Sequence, residues 1–183
     1  MAPIVVDPEV LAGAGVSVSS IGDEIAAAVN TLASALPNGA MAGHDRAGLA
    51  FGQAYQQGAQ ALMEAAGAAV GGGRKVGFGV QMSATNYSRA EASSTIGGAG
   101  APLTPPSAPG DFDAPSVPSP FGGGVAEPFL WSMVELFVGD VWPNGDPAQL
   151  RAAGTAWSAF ARSMAGIAGQ LQGPSATISG QQI

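Results

Sequence analysis

Residues 7–36 read DPEVLAGAGVSVSSIGDEIAAAVNTLASAL. Apolar side chains recur at Leu11, Ala14, Val18, Ile21, Ile25, Ala28, Leu32 and Ala35, in steps that alternate three and four. That spacing keeps one apolar stripe in line along an α-helix and is what a helix shows when it packs lengthwise on another. Asp7 is a good N-cap, and Pro8 suits the first helical position, where its missing N–H costs nothing. Pro37 cannot continue the helix comfortably and Asn38-Gly39 favours a turn, so the stripe ends there.

A second stripe of the same kind begins near Asp45 and runs through Phe51, Tyr55, Ala59, Leu62, Ala66 and Val70. Its spacing continues past Gly71-Gly72-Gly73 to Val76, Val80, Ala84 and Tyr87, although each glycine costs about 1 kcal/mol relative to alanine in a helix. The expectation is one long helix with a kink or weak point at the glycines, the alternative being two helices with a break there. Both segments then form an antiparallel hairpin whose apolar seam, carried by Leu11, Val18, Ile21, Ile25, Leu32, Phe51, Tyr55 and Leu62, is offered to a partner helix pair.

From Gly97 to Glu127 the text is GGAGAPLTPPSAPGDFDAPSVPSPFGGGVAE. It is too rich in Gly, Pro, Ser and Ala to bury apolar area against its ordering entropy, and it reads as an extended, mobile linker. Phe129, Leu130, Met133, Val134, Phe137 and Val141 then share one helical face, and WPNGDPAQL gives a turn with Asp146 as N-cap and Pro147 as first helical residue. Another three-four seam follows at Leu150, Ala153, Trp157, Phe160, Met164, Ile167 and Leu171, and Gly173-Pro174 stops it. The fold class is therefore all-α, with a long hairpin at 1–96, a linker at 97–127, one short and one longer helix at 128–173, and a flexible tail at 174–183.

Composition narrows the function. Of 183 residues 46% are hydrophobic, but much of that is alanine, and 28 Gly and 14 Pro limit the packed core. Six Lys/Arg against thirteen Asp/Glu give a net charge of −7, which disfavours nucleic acid or anionic lipid as a partner. Without cysteine there is no disulfide, thiolate nucleophile or Cys-type zinc site. MAPIVVDPEV carries no basic n-region, and Asp7-Pro8 cuts its apolar run, so a cleaved leader is not expected. FLWSMVELFVGDVW, residues 129–142, is too short for a bilayer and carries Glu135 and Asp140, and no transmembrane helix is expected.

Nothing in the chain reads as catalysis. His44 is the single histidine, Lys75 sits among glycines, and the acids lack distinctive spacing, so no enzyme and no cofactor or metal is expected. GGGRK, residues 71–75, fits neither a P-loop nor a dinucleotide fingerprint. Trp131, Trp142 and Trp157 lie on helical faces, where an aromatic ring usually fills core or interface. Tyr87 and Glu91, four apart, project from one face at the end of the second long helix.

Two long helices, a small-residue turn ending in Gly43, the start without a leader, and Tyr-x-x-x-Glu after the second helix together resemble substrates of the type VII (ESX) secretion system of mycobacteria. In the small Trp-x-Gly proteins the turn carries tryptophan, any residue, glycine; here Met41-Ala42-Gly43 stands in that place and the tryptophan is absent. Four stretches in order, MAPIVVDP, MAGHDRAGLAFGQAY, MSATNYSRAEA and WPNGDPAQLRAAGTAW, are similar to the N-terminal region of the CpnT family, channel proteins with a necrosis-inducing toxin. The resemblance implies a Trp-x-Gly-like export domain with Met41 and Gly43 at the hairpin turn and Tyr87 and Glu91 as the secretion signal. It implies the type VII apparatus as a partner, along with small Trp-x-Gly proteins or a second copy of the chain. It places the protein in the cytoplasm before export and outside or on the cell surface afterwards. A membrane-active channel component is the second expectation, suggested by the family and by residues 129–142.

Overall fold

The computed structural model describes residues 6–39, 41–97, 100–139 and 142–181. Regular structure among them is entirely α-helical: α1 (Pro8–Ala35), α2 (Arg46–Ser94), α3 (Trp131–Val138), α4 (Pro147–Gln170) and α5 (Gln172–Gly180). Each of the three longest helices starts on an aspartate. Asp7 Oδ1 accepts from the amides of Glu9 and Val10, Asp45 Oδ1 from those of Ala47 and Gly48, and Asp146 Oδ1 from those of Ala148 and Gln149, at 2.7–3.4 Å. Each such cap satisfies amides that have no intrahelical acceptor and contributes about 1 kcal/mol. The 49-residue α2 runs unbroken through Gly71-Gly72-Gly73.

The packing groups the chain into two compact units, one of residues 1–27, 67–113 and 163–183, the other of residues 28–66 and 114–162. The expected boundaries at 96 and 127 fall inside these units rather than between them. In the first unit the α1 seam is Leu11, Gly15, Val18, Gly22 and Ile25, all buried. It faces Val70, Gly73, Gly77 and Ala84 of α2. A Cβ on Gly22 would meet Val70 and Arg74, and one on Gly15 would meet Gly77 and Gln81. As numbers rise along α1 they fall along α2, so the two run antiparallel there. The end of α4 meets α1 on another side, where Gln170 Nε2 donates to Glu24 Oε2 at 2.9 Å, and just past α5 Gln181 Oε1 accepts from the Asp7 amide at 2.8 Å.

In the second unit the seam continues at Val29, Leu32 and Leu36 of α1 and at Gly52, Ala59, Met63 and Ala66 of α2, closed by Ala153, Ala156 and Phe160 of α4. Trp157 Nε1 donates to Tyr55 Oη at 3.0 Å, and the Trp157 ring stands edge-on to both Tyr55 and Phe160. An indole placed this way buries its rings while its one polar atom keeps a partner.

The α2 seam keeps the expected Ala59, Ala66, Val70 and Ala84 but departs by one residue at three positions. Met63 is fully buried and Leu62 is 47% exposed; Phe51 and Val76 are also exposed, with Gly52 and Gly77 buried beside them. Successive residues on a helix diverge by about 100°, so the large side chains of Phe51, Leu62 and Val76 turn away from the seam that Gly52, Met63 and Gly77 enter. Met63→Ala is expected to cost about 2–4 kcal/mol in urea unfolding, within the range for buried large-to-small changes, against at most about 0.5 kcal/mol for Leu62→Ala, an exposed position. A larger loss at Leu62 would put Leu62, rather than Met63, in the seam.

Residues 100–120 have no regular secondary structure, in keeping with their composition, but they are tied down rather than mobile. In the first unit the Leu103 amide donates to Ser88 Oγ at 3.0 Å and Phe112 stacks its ring 5.9 Å from the Arg74 guanidinium. In the second, the Val117 amide donates to Gln60 Oε1 at 3.2 Å, Val117 and Pro120 are buried, and Ser119 and Pro120 carbonyls accept from the Gly39 and Ala42 amides. This strap supplies acceptors to a turn that the helices leave unpaired.

One further expectation fails. The segment after Gly173-Pro174 is the helix α5 rather than a flexible tail, because Pro174 falls in the first turn, where a proline removes no helical hydrogen bond. The helix α1 is long and apolar enough to cross a membrane by length and composition, with a mean hydropathy of 1.2 over its best window, although 44% of that window is buried. Alanine and the branched aliphatic residues account for that hydropathy, and a packed core helix meets the same criterion.

Candidate functional site

The last turns of α2 carry the candidate signal. Tyr87 is half-buried and Glu91 exposed, one helical turn apart on the same face. Between them Ser88 receives the strap through its Oγ. The helix closes just beyond: the Glu91 carbonyl accepts from the Thr95 amide at 3.1 Å, from Thr95 Oγ1 at 2.9 Å and from Ser94 Oγ at 3.1 Å. Gly97 then adopts φ +99°, a backbone state that side-chain-bearing residues rarely take. The Glu91 side chain is thus displayed in the last turn of α2.

The turn at Met41 and Gly43 is enclosed by its own unit. Met41 and Ala42 are buried, Gly145 presses against Gly43, and the His44 amide donates to Asn144 Oδ1 at 2.7 Å. The His44 ring stands 2.9 Å from Asn144 Nδ2. Phe121 fills the space beside Gly52, where a Cβ would come within 2.5 Å of its ring. Of the seam residues, Leu11, Val18, Ile21, Ile25 and Leu32 are buried within the chain, Tyr55 is half-buried against Trp157, and Phe51 and Leu62 are exposed. No cluster of three or more His, Asp or Glu able to hold a metal occurs among the described residues.

The apolar face expected at residues 129–141 is left uncovered, which its spacing alone does not tell. No residue of α3 is buried. Phe129 is 96% exposed, Phe137 89% and Leu136 85%, and Leu130, Met133, Val134 and Val138 are exposed as well. The expected shared face includes all but Leu136 and Val138, although Val141 lies outside the described residues. The segment is anchored at one end by an edge-on contact of Trp131 and Trp142, 4.8 Å between ring centres, and Trp142 Nε1 donates to the Val125 carbonyl. Contiguous apolar exposure on this scale marks a contact surface more often than an accident.

Comparison with known proteins bears on what these surfaces serve. The whole chain aligns, at 42% identity over 185 residues, with the outer membrane channel protein CpnT of Mycobacterium tuberculosis, and equally with that of Mycobacterium bovis. The chain is homologous to the N-terminal part of CpnT. It is also 38% identical over its full length to a protein of Mycobacterium avium named Mav, a putative NAD(+)–arginine ADP-ribosyltransferase. The chain spans 22% of the length of each of these relatives. No family model matches it, and no solved structure does.

Proposed function

We propose that this chain is a non-enzymatic targeting domain of a CpnT-like type VII (ESX) secretion substrate, addressed through Tyr87 and Glu91. The observation that carries the reading is the geometry of the α2 terminus, where a tyrosine and an exposed carboxylate share one face in the last turns of the helix. Homology to a mycobacterial outer membrane channel protein supports a destination outside the cytoplasm, in the secreted fraction or on the cell surface. The secretion apparatus is the partner that reads the pair, and small Trp-x-Gly proteins or a second copy of the chain accompany it. Alanine at Tyr87 or Glu91 is expected to stop export from a mycobacterial cell with an intact ESX system while the protein accumulates, folded, inside. Export of both variants at the unmodified level sinks the reading.

A second reading is favoured by α3. Seven exposed apolar residues at 129–138 with a single carboxylate, Glu135, suit insertion into the interfacial layer of a bilayer, and the CpnT name supports membrane activity. The charge of −7 argues for zwitterionic rather than anionic lipid. Dye-loaded phosphatidylcholine vesicles are expected to leak on addition of the chain, and a Phe129→Ser/Phe137→Ser variant is expected to be inactive. Intact vesicles, or leakage unaffected by the two changes, would remove this reading.

A further inference from the structure

The strap and α2 keep a fixed register. Leu103 is tied to Ser88, and Arg74 Nη1 stands 3.5 Å from the Gly110 carbonyl. Seven strap residues therefore run alongside fourteen helical ones, in the opposite direction. Fourteen helical residues advance about 21 Å, so each strap residue advances about 3.0 Å, close to the 3.1 Å rise of a polyproline II helix. Burial has the matching period. Leu103, Pro106, Pro109 and Phe112 are partly covered while the two residues between each pair are exposed, as three residues per turn require.

The face beneath is equipped for such a ligand. A polyproline II strand makes no internal hydrogen bonds, so its carbonyls seek external donors and its rings seek apolar or aromatic shelves. Arg74, oriented by a 2.8 Å ion pair from its Nε to Asp23, turns a guanidinium nitrogen toward the Gly110 carbonyl and lies over the Phe112 ring. Beside the strap a cavity of about 590 Å³ remains, lined by Val16, Ser19, Phe78 and Gln81 as well as by Pro106 and Pro109. The groove is larger than the segment lying in it.

We infer that this face of α1 and α2 is a binding site for proline-rich polyproline II peptide, filled in the resting chain by its own residues 103–112. Occupancy in cis follows from the short connection: a tethered segment reaches effective concentrations of the order of millimolar. The site recognises backbone carbonyls and a three-residue apolar repeat, and a competing segment of the same character takes it when the strap is loosened.

The test uses the 183-residue chain and a fluorescently labelled synthetic peptide corresponding to residues 101–113. In a Pro106→Gly/Pro109→Gly/Phe112→Ala variant the peptide is expected to bind saturably, by anisotropy, and at least about tenfold more tightly than to the unmodified chain, whose site is filled in cis. A peptide with glycine at both prolines is expected to bind the variant much more weakly, as is the normal peptide when Arg74→Ala is added. Absence of saturable binding to a variant with unchanged helicity, equal binding by the unmodified chain, or equal binding of the glycine peptide would each overturn the inference. Hydrogen exchange on the unmodified chain gives a check that needs no variant. The Leu103 amide is expected to be protected, and exchange at the rate of a free peptide would equally overturn it.

Discussion

Gly77→Ala is expected to destabilise the chain by about 2–3 kcal/mol, the upper range for overpacking a close contact, and Gly79→Ala, two residues on, to stabilise it. A Cβ on Gly77 would come within 2.5 Å of the Gly15 carbonyl oxygen and the Ser19 amide nitrogen, both backbone atoms of α1, and would also strike Ser19 Oγ. A hydroxyl can rotate away; a helix backbone moves only if the two helices separate, which also breaks the packing of Val18 and Ala84. At Gly79 nothing lies within 4 Å, so alanine there brings only its better helix propensity, up to about 1 kcal/mol. In thermal unfolding the two variants should bracket the unmodified chain, Gly77→Ala lower by roughly 4–12 °C, at the 2–4 °C per kcal/mol usual for this size. Equal shifts in one direction would mean that α1 and α2 do not touch at Gly15 and Gly77.

On the proposed reading the second large effect is on export. Glu91→Ala removes a side chain that is exposed, while the three hydrogen bonds closing the helix use the Glu91 carbonyl and survive the change. Helicity and melting temperature should therefore match the unmodified chain, so lost export would report on recognition alone. Tyr87 is half-buried, and alanine there removes some packing as well as the phenol. Tyr87→Phe separates the two: it keeps the ring and deletes the hydroxyl. Export lost with Glu91→Ala and Tyr87→Ala at unchanged intracellular stability is the expected pattern. Loss that instead tracks a falling melting temperature would assign the effect to folding and sink the signal.

The helices were legible because their ends are written in chemistry with one meaning. Asp-Pro at 7–8 and 146–147 marks two starts, and Asn38-Gly39 marks a stop, realised with Gly39 at φ +76°. The α1 stripe was legible because its apolar members from Leu11 to Ile25 are large. The α2 stripe was legible at Ala59, Ala66, Val70 and Ala84, but Phe51, Leu62 and Val76 stand exposed beside buried Gly52, Met63 and Gly77, and at two of those three places a glycine contributes by what it lacks. Composition also misled in the proline-rich segment. Few apolar residues there can form a core of their own, but Leu103, Pro106, Pro109 and Phe112 recur every third position, a period that neither the helical nor the strand template tests. The candidate signal stood in the sequence as a spacing; its enclosure of Ser88, and the nakedness of α3, depend on contacts between residues far apart in the chain.

The fastened strap also changes where the chain can be cut or extended. Someone choosing a protease site, a fluorophore or an inserted tag from composition would put it among the prolines, where the backbone in fact lies clamped on helices. The better place is Ile96-Gly97, just past the bonds that close α2, with Ile96 fully exposed and no neighbour near Gly97. A label there would sit one turn past the displayed carboxylate, near enough to report on whatever grips it.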